Sequence, residues 1–280
     1  MSKLTDKQAL EVWCRYNEGL AKDIDVDESL SRYDIDKKRA ELEADPIAWI
    51  LYFFPTYAKY EFAPFQVKAI KRIIVNEEWY EVLSWSRELA KSTVAMFVIM
   101  YLTLTKRKRF VALASATIDA AERLLAPYKI NFEKNPRLQQ FYGKQEVLGM
   151  WTDREFSCAC GAKFIALGAG SAPRGMRNEA IRPDVLYFDD YDTDEDCRNP
   201  VTLDKKWQWA EHALYPTRSI SEPTLVLWCG NIIAKDCCIT RAGKLANSWD
   251  IVNIRDKHGR STWPQKNTEE QIDRILAKIS

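Results

Sequence analysis

Apolar and polar positions change their pattern several times along the 280-residue chain, and each change marks a different kind of element. Over residues 1–45 large apolar side chains are sparse among Asp, Glu and Lys, which predicts a polar, helical N-terminal arm. Asp45-Pro46 then joins an N-capping carboxylate to a proline in the first helical position, opening an apolar run that stops at Pro55. A second helix opens at Pro64, with Phe65, Val67, Ile70, Ile73 and Ile74 recurring at roughly helical spacing.

From Tyr80 short apolar runs alternate with helical stretches. Strands are predicted at 82–85, 110–114, 164–167, 185–188, 225–229 and 251–254, and helices at 92–104 and 118–125. Strands separated by helical crossovers imply an α/β fold, a mainly parallel sheet with helices on both faces. Residues 265–280, after Trp263-Pro264, predict a C-terminal helix or the start of a linker.

Composition narrows the class. Hydrophobic residues make up 46% and aromatics 12%, the range of globular proteins. There is no apolar run of eighteen residues and no leader of signal-peptide form, so a soluble, intracellular protein without membrane contact is expected. The formal charge is +1, so any contact with nucleic acid has to be local. The first 45 residues carry twelve acids against eight bases, too small an imbalance to decide anything. Seven cysteines, an odd number, read as reduced thiols. Cys158-x-Cys160 and Cys237-Cys238 lack the spacing of a zinc site. The tryptophans sit in apolar contexts that suit core or interface better than base stacking.

Directly after the strand at 82–85 comes Ser86-Arg87-Glu88-Leu89-Ala90-Lys91-Ser92-Thr93, and then an apolar helix. Strand, short loop, Lys-Ser and helix form the context for phosphate binding: amides at the helix start face the anion, the lysine reaches the β- and γ-phosphates, and the hydroxyl can ligate Mg²⁺. The pattern Gly-x-x-x-x-Gly-Lys-Ser/Thr fails at Trp85 and Ala90, which occupy its two glycine positions. Taken alone, Lys91 reads as a solvated residue in a helix's first turn. The strand ending in Asp189-Asp190 changes that reading. In a nucleotide-hydrolysing sheet the first such carboxylate holds Mg²⁺ and the next orients the attacking water. A solvated acidic turn is the bland alternative, since Asp192, Asp194, Glu195 and Asp196 follow. A Ca²⁺ loop starting at Asp190 would need Gly where Glu195 stands and Glu where Val201 stands.

Over residues 46–264 these segments resemble the ATPase domain of tailed-bacteriophage large terminases. Pro64-Phe65-Gln66 is similar to the family's adenine-reading element, and residues 86–93 to its divergent Walker A. Arg174-Gly175-Met176-Arg177, followed by Arg182-Pro183-Asp184 and the strand to Asp189-Asp190, is similar to its approach to Walker B. Residues 225–231, ending in Gly230-Asn231, are similar to its coupling motif. Ala90 for Gly, Asp190 for Glu and Cys229 for Thr or Ser are departures.

The resemblance implies a P-loop NTPase of the additional-strand type with ATP and Mg²⁺ as cofactors. In it Gln66 would contact adenine and Ser86, Arg87, Glu88, Leu89, Ala90, Lys91, Ser92 and Thr93 would hold the phosphates. Ser92 and Asp189 would hold Mg²⁺, Asp190 would activate water, and Asn231 would sense the γ-phosphate. Arg87, Arg174, Arg177 and Arg182 are candidates for stabilising charge on the transferring phosphoryl group. Partners implied are double-stranded DNA, a portal protein, a small terminase subunit, and copies of the chain itself. These copies would form a ring on the procapsid, a pentamer by resemblance, with the isolated chain monomeric and the host cytoplasm its location. Complete relatives carry a nuclease domain after the ATPase; no nuclease activity is expected of these residues. A helicase-like DNA-dependent ATPase and a non-hydrolysing module with a degenerate site remain open as alternatives.

Overall fold

The computed structural model describes residues 24–173, 176 and 180–277. Local chemistry explains where its helices begin. The Ser31 hydroxyl accepts from the Asp34 amide at 3.2 Å to open α1 (Arg32–Ala44), and the Asp45 carboxylate accepts from the Ile47 amide at 3.0 Å to open α2 (Pro46–Phe53). In α3 (Pro64–Val75) the helical spacing turns Ile70, Ile73 and Ile74 into the core. The described part of the polar N-terminal segment lies on the domain. Ile24 packs with Ile130 and Tyr57, and the Tyr101 hydroxyl donates to the Glu43 carbonyl at 2.6 Å.

After α3 come β1 (Trp79–Trp85), α4 (Lys91–Leu104), β2 (Phe110–Ser115), α5 (Ile118–Lys134) and α6 (Pro136–Tyr142). The chain continues through β3 (Glu146–Trp151), β4 (Glu155–Cys158), β5 (Lys163–Gly168), β6 (Val185–Asp189), α7 (Asp194–Arg198) and α8 (Pro200–Gln208). A π-helical turn, Trp209–Leu214, extends α8, and β7 (Leu225–Cys229), α9 (Cys238–Leu245), β8 (Ser248–Val252) and α10 (Glu269–Leu276) complete the order.

The eight strands form one sheet in the order β3-β4-β5-β2-β6-β7-β1-β8. It is parallel from β5 to β8, and β4 runs antiparallel to both its neighbours. β7 lies between β1 and β6, which is the additional-strand arrangement of P-loop NTPases. Along the central strands alternate residues enter two separate cores. Leu83, Leu113, Tyr187 and Leu227 face the core shared with α2 to α6; Val82, Ala112, Phe188 and Trp228 face the one shared with α8 and α9. Helices therefore cover both faces.

Three expectations need correction. The last strand is Ser248–Val252 and not 251–254, because this edge strand leads with half-buried Ser248, Trp249 and Asp250 and only ends on apolar residues. The helix expected at 118–125 continues through Pro127 to Lys134, since burial of Tyr128, Ile130 and Phe132 offsets the hydrogen bond that proline removes. β3 and β4 were not expected. β3 is mostly exposed and broken at Gly149 (φ +80°), so it carries no apolar alternation to read.

Candidate nucleotide site

β1, β7 and β6 end side by side, and the loop after β1 enters α4 there. Two non-glycine residues of that loop take left-handed backbone angles, Glu88 at φ +70° and Ala90 at φ +61°. Ala90 thus adopts the conformation that the phosphate-loop pattern assigns to glycine. It is also the N-cap of α4 and supplies no side-chain cap, so no side chain competes for the amides of the first turn. Three anchors hold the loop. The Ser86 amide donates to the Val252 carbonyl at 2.8 Å. Gln66, fully buried, donates through Nε2 to the Leu89 carbonyl at 3.1 Å while its Oε1 accepts from the Ala63 amide at 2.9 Å. Lys266 donates to the Glu88 carbonyl at 2.8 Å and pairs with its carboxylate at 2.9 Å.

Lys91 opens α4 with only 8% of its surface exposed. Its Nζ donates to Asn231 Oδ1 at 3.2 Å, two residues past the end of β7. From the last residue of β7, the Cys229 thiol donates to the Lys91 carbonyl at 3.8 Å. The head of α4 and the end of β7 therefore touch at two points.

Asp189, the last residue of β6, is 1% exposed, and burial pushes its carboxyl up to about 6. The Ser92 and Tyr187 hydroxyls and the Lys91 ammonium pull it down, while Asp190 adds to the rise. Tyr187 donates to Asp189 Oδ2 at 2.5 Å, and burial holds the Tyr187 hydroxyl protonated, well above its ordinary range. The other oxygen, Oδ1, is buried without a hydrogen-bond partner. An orphaned carboxylate oxygen beside a serine hydroxyl is the hard-oxygen donor set that Mg²⁺ takes, so these residues fit the ion. Asp190 is exposed at φ +42°, its amide fixed on the Cys229 carbonyl at 3.2 Å. It lines a cleft of about 290 Å³ together with Arg87, Asp192, Gly230 and Asn231.

The fold thus brings Gln66, the 86–93 loop, Asp189, Asp190 and Asn231 to one end of the sheet. Arg174 and Arg177 lie outside the described residues. Arg182 does not reach the cleft of its own chain: it precedes β6, at the opposite end of the strand from Asp189. Sequence reasoning missed three contributors. Tyr187 was findable, because residues two apart on a strand share a face and Tyr187 must stand beside Asp189. Asp192 accepts from the Cys238 and Ile239 amides, both at 2.9 Å, joining the turn after β6 to the start of α9. Lys266 is far away in sequence, and no local pattern announces its contact with Glu88.

No protein-family model matches the chain, and no curated protein matches it in sequence. Solved structures do. The P74-26 large terminase ATPase domain from a Thermus phage aligns at 16% identity and TM-score 0.42, over 74% of this chain and 86% of its own. Saccharomyces cerevisiae Dbp5, in a complex containing ADP, aligns at 10% identity and TM-score 0.44, over 77% of this chain and 52% of its own. The HK97 bacteriophage large terminase aligns at 14% identity and TM-score 0.56 over 85% of this chain, which spans about half, 51%, of that protein. The chain thus shares the fold seen in the HK97 large terminase.

Proposed function

We propose that this chain hydrolyses ATP and uses the energy to translocate double-stranded DNA, as the motor part of a phage packaging terminase acting at a procapsid in the host cytoplasm. The observation that carries the reading is the contact of Lys91 with Asn231 beside the buried, half-satisfied Asp189. Lys91 and the first amides of α4 hold the phosphates, with Gln66 keeping the loop's shape. Ser92 and Asp189 hold Mg²⁺, which supplies positive charge to the β- and γ-phosphate oxygens when bound. Asp190 orients the attacking water and accepts its proton, and Arg87 stabilises the charge that develops on the phosphoryl oxygens. With nucleotide present, Lys91 exchanges Asn231 for a phosphate oxygen. Asn231 is then free to face the γ-phosphate, and its return to Lys91 after phosphate release moves the end of β7.

A non-hydrolysing module is the rival motivated by the missing glycines, and the left-handed Ala90 weighs against it. Phosphate release from ATP, with and without duplex DNA, decides between them. Hydrolysis is expected in the wild-type chain, and Lys91→Ala should lower it by roughly 10²–10³-fold with the fold intact. Asp190→Asn should bind ATP normally and lose hydrolysis to a similar extent, whereas Asp189→Asn should also weaken Mg²⁺-dependent binding. Wild-type turnover in Lys91→Ala would end the phosphate-loop assignment.

A further inference from the structure

At the other end of the sheet lies a larger cavity, about 560 Å³, lined by Lys106, Arg107, Arg109 and Arg182 with Asp184 and Glu222. Its cationic wall is held in place. The turn after α4 is pinned by Lys108, whose buried ammonium donates to the carbonyls of Glu77 and Pro223 at 2.9 and 2.6 Å. The Arg107 and Lys108 amides both return to the Leu102 carbonyl, at 2.9 and 3.0 Å, and Lys106 takes φ +60° to allow it. Asp184, the nearest carboxylate, accepts from the amides of Arg109 and Phe110 at 2.8 and 2.7 Å, so both its oxygens are engaged by backbone. Among the described residues Lys106, Arg107, Arg109 and Arg182 form no ion pair, and all four are exposed.

Arg107 already donates through Nη2 to the Ile74 carbonyl at 2.5 Å and adds its charge to the wall, while Lys106 and the guanidinium forks of Arg109 and Arg182, on a pinned turn and a facing loop, are complementary to the oxygens of an anion such as phosphate. Four cations spread around an open cavity match a repeating polyanion better than a single ion. No aromatic side chain lines the cavity among the described residues, so it offers no stacking platform for bases of a single strand. We infer that this cavity seats the sugar-phosphate backbone of double-stranded DNA. The inference rests on the translocation reading and gives it a surface. Two rigid elements link that surface to the nucleotide. α4 begins at Lys91 and ends at the cationic turn, roughly 20 Å away. β6 starts beside Asp184 and ends at Asp189.

The test is fluorescence anisotropy of a labelled duplex of about 30 base pairs across about 50–200 mM salt. Lys106→Glu/Arg109→Glu should weaken binding at least tenfold, roughly, and make the log–log salt slope shallower by about 2, one for each lost phosphate contact. DNA-independent ATP hydrolysis should not change, since neither residue touches the nucleotide site. Lys106→Gln/Arg109→Gln, with a circular-dichroism melt of each protein, guards against misfolding of the charge reversal and should shift the slope the same way. Wild-type affinity and slope in a folded double variant would overturn the inference while leaving the motor reading intact. Equal binding of single-stranded and duplex DNA, or saturation of the cavity by inorganic phosphate without competition against duplex, would overturn it as well. A wild-type chain that hydrolyses ATP and binds no DNA would remove both this surface and the translocation reading, leaving only an ATPase.

Discussion

Ala90 holds a left-handed backbone, φ +61°, that costs an alanine about 1–2 kcal/mol and a glycine almost nothing. Glycine's larger entropy in the unfolded chain returns about 0.5–1 kcal/mol of that difference. Ala90→Gly should therefore stabilise the protein by about 0.5–1 kcal/mol and raise Tm by roughly 1–3 °C. A lower melting temperature by calorimetry would mean that position 90 does not need the left-handed conformation. Cys160 carries an acidified thiol. Its interaction with the Cys158 thiol, helped by the backbone amides of Ala162 and Cys160 and by Lys106, brings it down to about 7 against the opposing effect of burial. The folded value lies below the unfolded one of 9.0, so the thiolate's contribution to stability is complete above pH 9 and is lost as pH falls through 7. Alkylation of Cys160 by iodoacetamide should accordingly show a midpoint near pH 7, while Cys158, which burial pushes well up, stays unreactive. Cys158→Ala, which removes the donor, should move that midpoint upward. A Cys160 midpoint near 9 in the unmutated protein would refute the pairing. The placement of positions 91, 92, 189, 190 and 231 was legible because each lies at or just past a strand end or helix start that local pattern defines. Their pairing was not, because Lys91 and Asn231 are 140 residues apart and meet only when β7 slots between β1 and β6.

At the scale of elements, the edge of the sheet is fastened by charge. Glu81, fully buried in β1, receives Arg72 of α3 through Nη2 at 2.5 Å and Nε at 3.0 Å, and Trp79 Nε1 at 2.7 Å. The same guanidinium reaches Asp250 of β8 at 3.1 Å, so one side chain ties helix, inner strand and edge strand together. Arg72→Leu should destabilise the protein by about 3 kcal/mol or more, because it strands a carboxylate in a low-dielectric interior with one remaining donor. Adding Glu81→Leu should recover most of that loss, since the cost comes from the unpaired charge and not from the missing pair. Urea melts measure both, and a double variant as unstable as the single one would refute the account. Elements buried on both faces were the most legible: apolar runs such as Val185–Asp189 and Leu225–Cys229 are continuous because helices cover the sheet on each side. β3, whose Leu148 is 96% exposed, buries too little to leave a periodic signature. The π-helical turn at Trp209–Leu214, which packs with Tyr191 and Trp228, was equally silent, because a single turn is too short to leave a spacing of its own.

At the scale of the whole molecule, the question is what completes the cleft. Arg87 already lines it, so a cis guanidinium is in place. β5 ends at Gly168 on the same edge of the sheet as the nucleotide site, yet β2 separates it from β6. The segment that follows is moored at Ser171, whose carbonyl accepts from Trp209 Nε1 at 2.5 Å, and then leads in sequence to Arg174 and Arg177. On the motor reading proposed above, an arginine given in trans would tie hydrolysis to a correctly docked neighbour. On that reading the isolated chain is expected to hydrolyse ATP slowly and to gain activity when copies of it assemble. Mixing Lys91→Ala protein with Arg174→Ala or Arg177→Ala protein at high concentration checks this. The arginine variant keeps an intact phosphate site, and the lysine variant keeps an intact arginine to insert into it. Partial recovery of ATP hydrolysis in the mixture, above the sum of the two proteins alone, is the expected result. If wild-type assembly is demonstrated under the same conditions and the mixture still shows no recovery, these arginines act in cis or not at all.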